Sequence, residues 1–187
     1  MVHVMKGARG VVLVELLTVL AITAVLLALA LPDLGALLRR QQLRAAVADL
    51  AGALALTRAQ ALARAGTVEL VPLESGGSDW SRGWIVLVDR DADRRPGGGD
   101  EIVAVHAALP KGMTLTAAFS SHQTPDYIAF NSGGRGCSAD SALAARFGSL
   151  TLRAGGEQRK IIVNMLGRIR TCDPLRDGAS CASDDAP

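Results

Sequence analysis

With 187 residues, 49% hydrophobic and 20% charged, the chain has material for one compact domain and one extended element, which excludes two full-sized domains. Two Trp, one Tyr and three Phe leave the core to Leu, Val, Ile and Ala and exclude extensive base stacking. The formal charge is +2; without Lys6 and Arg9 the 20 basic side chains would fall to the number of the 18 acidic ones, so attraction for nucleic acid or anionic lipid requires a local patch.

Residues 11–31 read VVLVELLTVLAITAVLLALAL. A helix of about 21 such residues spans roughly 31 Å, the thickness of a bilayer core, and predicts a transmembrane segment over 11–32. A secretory signal peptide is discounted, because Pro32-Asp33 and a long helical pattern follow directly. Lys6 and Arg9 precede the run and the next positive charges are Arg39 and Arg40, which places the short N-terminus in the cytoplasm. Glu15 stands out, since a carboxylate this far into a membrane helix costs on the order of 2.5–3.5 kcal/mol and calls for a partner.

Gly10-Val11-Val12-Leu13-Val14-Glu15 resembles the class III signal of type IV prepilins, in which a short basic leader ends in Gly and a Glu lies five residues into the apolar segment. The resemblance implies that residues 1–10 are a leader, that a prepilin peptidase cuts after Gly10, and that Val11 becomes the methylated first residue. It also implies that Glu15 compensates the terminal ammonium of a neighbouring subunit, so that assembly relieves a desolvation cost carried by each monomer. The implied partners are the prepilin peptidase, the inner membrane, and other pilins or pseudopilins bound through the N-terminal helix. Pro32 matches the proline that many of these proteins carry in the same helix, where it kinks or locally melts it.

Beyond Pro32 an alanine-rich stretch, 33–66, places Leu43, Val47, Leu50, Leu54 and Ala61 on one face of an amphipathic helix that stops at Gly66. Arg39, Arg40, Arg44, Arg58 and Arg64 fall on other faces and read as solvated surface. The pattern then changes to short alternating or apolar runs at 67–73, 83–89, 101–109, 113–119, 126–131, 148–153 and 159–165, divided by Gly, Pro, Ser and Asp clusters. These predict antiparallel strands in a head over 67–174, followed by a flexible tail over 175–187.

The segment from Ser78 through Trp80, Gly83 and Trp84 to Asp93, with Gly167-Arg168-Ile169-Arg170-Thr171-Cys172-Asp173-Pro174, resembles the FimT/GspH group of minor pilins and pseudopilins. The fold implied is α+β: a pilin fold whose long N-terminal α-helix, its first half in the membrane, packs on an antiparallel β-sheet head. The function implied is that of a minor type IV pilin of the bacterial inner membrane with a periplasmic head, later part of a pilus. The alternatives are a pseudopilin of a type II secretion system and a membrane-anchored binding module that never polymerises.

Asp89, Asp91, Asp93 and Asp100 follow a calcium-loop spacing, but Arg94 replaces the required glycine. A polar hairpin turn through Pro96 and Gly97 to Gly99 is the better account, and no metal or other cofactor is expected. Arg168 and Arg170 are two apart on a predicted strand and therefore share a face. Their Gly-Arg-Ile-Arg motif resembles the one with which FimT-type pilins of transformable bacteria contact DNA, and Arg159, Lys160, Arg153 and Arg176 could extend the patch. Three cysteines in a periplasmic head suit one disulfide. The expected pair is Cys137 with Cys172, while Cys172–Cys181 and Cys137–Cys181 stay open. No nucleophile elbow, phosphate loop or metalloprotease helix is present in the sequence, so no enzymatic role is expected.

Overall fold

The apolar run and the amphipathic pattern merge into one helix, α1, Leu13–Arg64. The computed structural model describes residues 13–74 and 78–182, the side chains of residues 27–33 and 182 excepted. The chain forms two compact units, Met1–Leu38 and Arg39–Pro187, and α1 contributes to both. The leader 1–10, including the processing residue Gly10, and Val11 lie outside the described residues.

In the first unit α1 is apolar on all sides, and Leu13, Val14, Leu16, Leu20, Ile22 and Leu26 are each more than half exposed. Thr18 and Thr23 turn their hydroxyls back onto the carbonyls of Glu15 and Val19, at 2.8 and 2.9 Å, which removes their donors from the surface. Glu15 is exposed and makes no ion pair among the described residues. Among these residues no helix is long and apolar enough to cross a membrane. The side chains that would complete the expected 11–32 segment lie outside the described set. Helix α1 is assigned without a break through residue 32.

In the second unit α1 buries a stripe of Leu43, Ala46, Leu50, Leu54, Thr57 and Ala61. Thr57 is tolerated there because its hydroxyl donates to Ala53 O at 2.7 Å. The helix ends at Arg64, where Ala65 takes a left-handed φ of 51° and Gly66 N–H reaches back to Ala61 O at 3.2 Å.

Nine strands follow among the described residues: β1 (Val68–Pro72), β2 (Trp84–Val88), β3 (Glu101–His106), β4 (Met113–Phe119), β5 (Ile128–Phe130), β6 (Gly136–Cys137), β7 (Gly148–Ala154), β8 (Glu157–Val163) and β9 (Ile169–Cys172). They form two antiparallel sheets, ordered β3-β2-β1-β5-β6 and β4-β7-β8-β9. The α1 stripe, Leu70 and Val86 of the first sheet, and Leu150 and Ile161 of the second share one core. Each such leucine contributes about 1.5–3 kcal/mol by leaving water, so this contact dominates the unit's stability. A smaller cluster of Val71, Ile85, Leu87, Tyr127, Ala129 and Cys137 lies behind the first sheet.

The Cys137–Cys172 pair expected from the sequence is not formed; Cys172 instead bonds Cys181, with Cα atoms 5.8 Å apart. Cys137 is paired with Ala129 across β6 and β5 in the small cluster, where burial, with Glu69 adding, pushes its thiol up to about 11. Cys172 ends β9 in the other sheet. The tail is not loose at its start either: Asp173 accepts from Leu175 N–H and caps α2 (Pro174–Asp177), and Gly178 turns the chain into α3 (Ala179–Ala182). That reversal brings Cys181 back to Cys172. A maleimide applied under denaturing, non-reducing conditions is expected to label Cys137 alone, with Cys172 and Cys181 recovered in one linked peptide; label on Cys181 would contradict the pairing.

Candidate functional site

Arg168 follows a tight turn between β8 and β9. Asn164 Oδ1 accepts from the N–H groups of Leu166 and Arg168 at 3.1 and 2.9 Å, and Asn164 O accepts from Gly167 N–H at 2.9 Å. Gly167 is required: its φ is 76°, and a Cβ there would lie 2.0 Å from Gly134 O. The Arg168 side chain is exposed and has no hydrogen bond or ion pair among the described residues.

The other three predicted basic residues are engaged. Arg170, opposite Ile162, donates from Nη1 to Ser180 O at 2.6 Å, and Lys160 Nζ lies 3.4 Å from Cys181 O. Both are thus held by the segment that the disulfide pins. Arg159 takes the alternate face, opposite Leu152, and pairs with Asp173 at 2.9 Å and Glu157 at 3.9 Å. Arg168 lies beside α1 and Arg170 beside the α2–α3 turn, so the expected common fork is divided between two neighbourhoods. Arg58 of α1, read from the sequence as solvated surface, donates from Nε to Gly134 O at 2.9 Å.

The aspartate segment joins β2 and β3 as a hairpin loop. Carboxylate atoms of Asp89, Asp91, Asp93 and Asp100 lie within 4.8 Å of one another. Their oxygens accept from the loop's own backbone: Asp89 from Ala92 and Arg94 N–H at 2.8 Å each, Asp91 from Asp93 at 3.3 Å, Asp93 from Arg95 at 2.7 Å, and Asp100 from Arg90 and Gly97 at 2.9 and 3.0 Å. These bonds hold the left-handed φ of Ala92 and Arg94, 63° and 59°, so a role as turn-formers accounts for all four side chains.

The model of the family described as "Type II transport protein GspH" matches residues 46–167, from within α1 to the glycine before Arg168. This chain belongs to the GspH family. The placement among type IV minor pilins and pseudopilins, expected from Gly10–Glu15 and the Trp84 strand, therefore stands. The chain is 32% identical over 167 residues to "Pilin-like protein PilA1" of Thermus thermophilus, covering 87% of this chain and 97% of that one. In structure it is similar to the type IV minor pilin FimU of Pseudomonas aeruginosa PAO1, with a TM-score of 0.55, 19% identity, and coverage of 76% of this chain and 96% of FimU. It is also similar to the minor pseudopilin EpsH of the Vibrio cholerae type 2 secretion system, with a TM-score of 0.50, 13% identity, and coverage of 71% and 98%. At these identities the likeness is one of fold. The family match ends before Arg168, Arg170 and the disulfide, which therefore lie outside the matched span.

The GspH-family head also contains two buried ionisable side chains, Arg146 and Glu69, that sequence reasoning missed. Arg146 is fully buried, yet Nε donates to Tyr127 O at 2.9 Å, Nη1 to Ser121 O at 2.7 Å, and Nη2 to Asp126 Oδ1 at 3.3 Å. Its guanidinium lies 4.2 Å from the Tyr127 ring centroid and 4.9 Å from that of Phe119. It is a strut across the β4–β5 connection. Arg146→Ala is expected to cost about 3–5 kcal/mol in urea unfolding, because Asp126 is left half-buried and unpaired; a loss under about 1 kcal/mol would contradict this role.

Glu69 is 4% exposed on β1, and its Oε2 has no hydrogen-bond partner among the described residues. Burial, with Asp89, Asp140 and Asp100 opposing its ionisation and Arg94 favouring it, raises its pKa to about 7. The folded protein therefore keeps a proton on Glu69 where the unfolded chain has released it, and stability falls as pH rises through about 7. Relative to wild type, Glu69→Gln is expected to remove this fall and to add about 2–3 kcal/mol at pH ~8 but little at pH ~5, read from urea midpoints. Equal gains at both pH values would contradict the raised pKa.

Proposed function

We propose that this protein is a minor type IV pilin that enters the inner membrane through the first part of α1, is cut after Gly10, and is built into a pilus. The observation that carries the reading is the helix from Leu13 to Leu26, apolar on every side and exposed, with Glu15 as its single charge. A rod of this kind requires an apolar surrounding: the bilayer before assembly and the helices of neighbouring subunits after it. The cost of holding Glu15 there, on the order of 2.5–3.5 kcal/mol, is offset once the Val11 ammonium of an adjacent subunit faces it. Nothing in this role needs a catalytic group, and the protein acts by assembly and binding.

The head contacts DNA without sequence preference in this reading. Arg168 supports that step, as an exposed guanidinium with no protein partner among the described residues, and the scarcity of aromatics disfavours base readout. A minor pseudopilin of a type II secretion system is the second reading, favoured by the family description and by the fold likeness to EpsH.

Mass spectrometry of the protein from its native membrane is expected to find N-methylated Val11 as the first residue, and Glu15→Ala is expected to reduce recovery in sheared filaments about tenfold or more at unchanged membrane level. An intact leader, or unaltered incorporation of the variant, would reject the assembly reading. Loss of DNA uptake on gene disruption supports the pilus; loss of protein secretion supports the second machine.

A further inference from the structure

Within the second unit, α1 and the start of β9 enclose an open cleft of about 380 Å³ lined by Ala55, Arg58, Ala59, Leu62, Arg168 and Ile169. Two guanidiniums thus share one recess whose remaining walls are apolar. Neither has an acidic partner among the described residues. Arg58 engages only Nε, with Gly134 O at 2.9 Å, so its two terminal nitrogens carry no other bond among those residues.

Two glycines account for this arrangement. Gly134 has φ 70°, and a Cβ there would lie 3.0 Å from Arg58 Nε. Gly167 has φ 76°, and a Cβ there would lie 2.0 Å from Gly134 O and 3.3 Å from Arg58 Nε. Only without side chains can the two turns touch and leave room for the guanidinium between them and α1. Because Arg168 directly follows Gly167, the contact that orients Arg58 also sets Arg168 beside it.

We propose that Arg58 and Arg168 together form a phosphodiester-binding cleft, Arg58 holding one backbone phosphate of DNA in concert with Arg168. The proposal rests on the reading that this head contacts DNA, and it assigns the second guanidinium to α1 rather than to β9. Guanidinium forks match phosphate oxygens in pairs, and the bond to Gly134 O reduces the rotamer freedom that Arg58 would lose on binding. The apolar walls of Ala55, Ala59 and Leu62 leave the charges poorly screened and suit the sugar face of a strand. The cleft has no aromatic side chain to stack a base, so it distinguishes no sequence. Arg170, tied to Ser180 O, is not among the residues that line it.

The test uses the full chain in neutral detergent micelles and a fluorescein-labelled duplex of mixed sequence, followed by anisotropy at several salt concentrations. Arg58→Gln and Arg168→Gln are each expected to weaken binding about fivefold to tenfold at low salt and to reduce the slope of log affinity against log salt by about one. The two together are expected to weaken it less than the product of the single effects. Arg95→Gln, which removes the same charge from the β2–β3 loop, is expected to change affinity less than about twofold. Arg58→Lys keeps the charge and loses the fork; it is expected to fall between wild type and Arg58→Gln, and it decides the matter if the glutamine variant unfolds. Wild-type affinity in Arg58→Gln alongside a weakened Arg168→Gln overturns the cleft and leaves the DNA reading intact. Equal effects of Arg58→Gln, Arg168→Gln and Arg95→Gln reduce the effect to general charge and also overturn it. A wild-type chain that does not bind the duplex removes the DNA reading itself, and the cleft with it.

Discussion

Burial of one stripe of α1 against two sheets is the contact on which the head depends. Leu43, Leu50, Leu54 and Ala61 lie in the same core as Leu70 of the first sheet and Leu150 of the second. Neither sheet could hide its inner face alone, because each has only five or four strands and the chain supplies few aromatics to fill space. Polar ties then fix where the helix sits along the sheets: Arg40 to Glu157 at 2.6 Å, Arg58 to Gly134 O at 2.9 Å, and Arg64 to Glu101 at 2.5 Å. The two exposed ion pairs are screened by water and add little, so the apolar stripe provides the stability and the arginines provide the register.

The arginines of the head divide by what surrounds them. Arg146 is buried and satisfied by Tyr127, Ser121 and Asp126, and serves the structure. Arg159 is cancelled by Asp173 and Glu157. Arg170 and Lys160 are held by carbonyls of a segment that a disulfide pins in place. Arg58 and Arg168 keep terminal nitrogens available. In a chain whose 20 basic and 18 acidic side chains nearly balance, no long-range field favours one site over another, and this difference in partners sets the local charge.

The aspartates show how a motif can be used up by its own backbone. Their spacing is that of a calcium loop, but each carboxylate turns onto a nearby N–H and so stabilises a loop containing two left-handed residues, Ala92 and Arg94. Convergence of the four is then a consequence of the turn. Glu69 differs, because it lies behind the same sheet with one oxygen unpartnered among the described residues, and burial raises its pKa to about 7.

Much of this was legible in the sequence because it is written over short distances. Helix α1 follows from three- and four-residue apolar steps, the strands β1, β2 and β4 from runs bounded by turn residues, and the family from Gly10–Glu15 and the segment around Trp84. Strand β6, two residues long, has too few positions to display any period. The division into two sheets, the pairing of Cys172 with Cys181, the cancellation of Arg159 and the meeting of Arg58 with Arg168 were decided only by the tertiary structure. Each depends on which distant segments touch, and a contact such as Gly134 against Gly167 leaves no local pattern: both residues read alone as ordinary turn glycines, and the reason for them lies in the backbone that passes across the other.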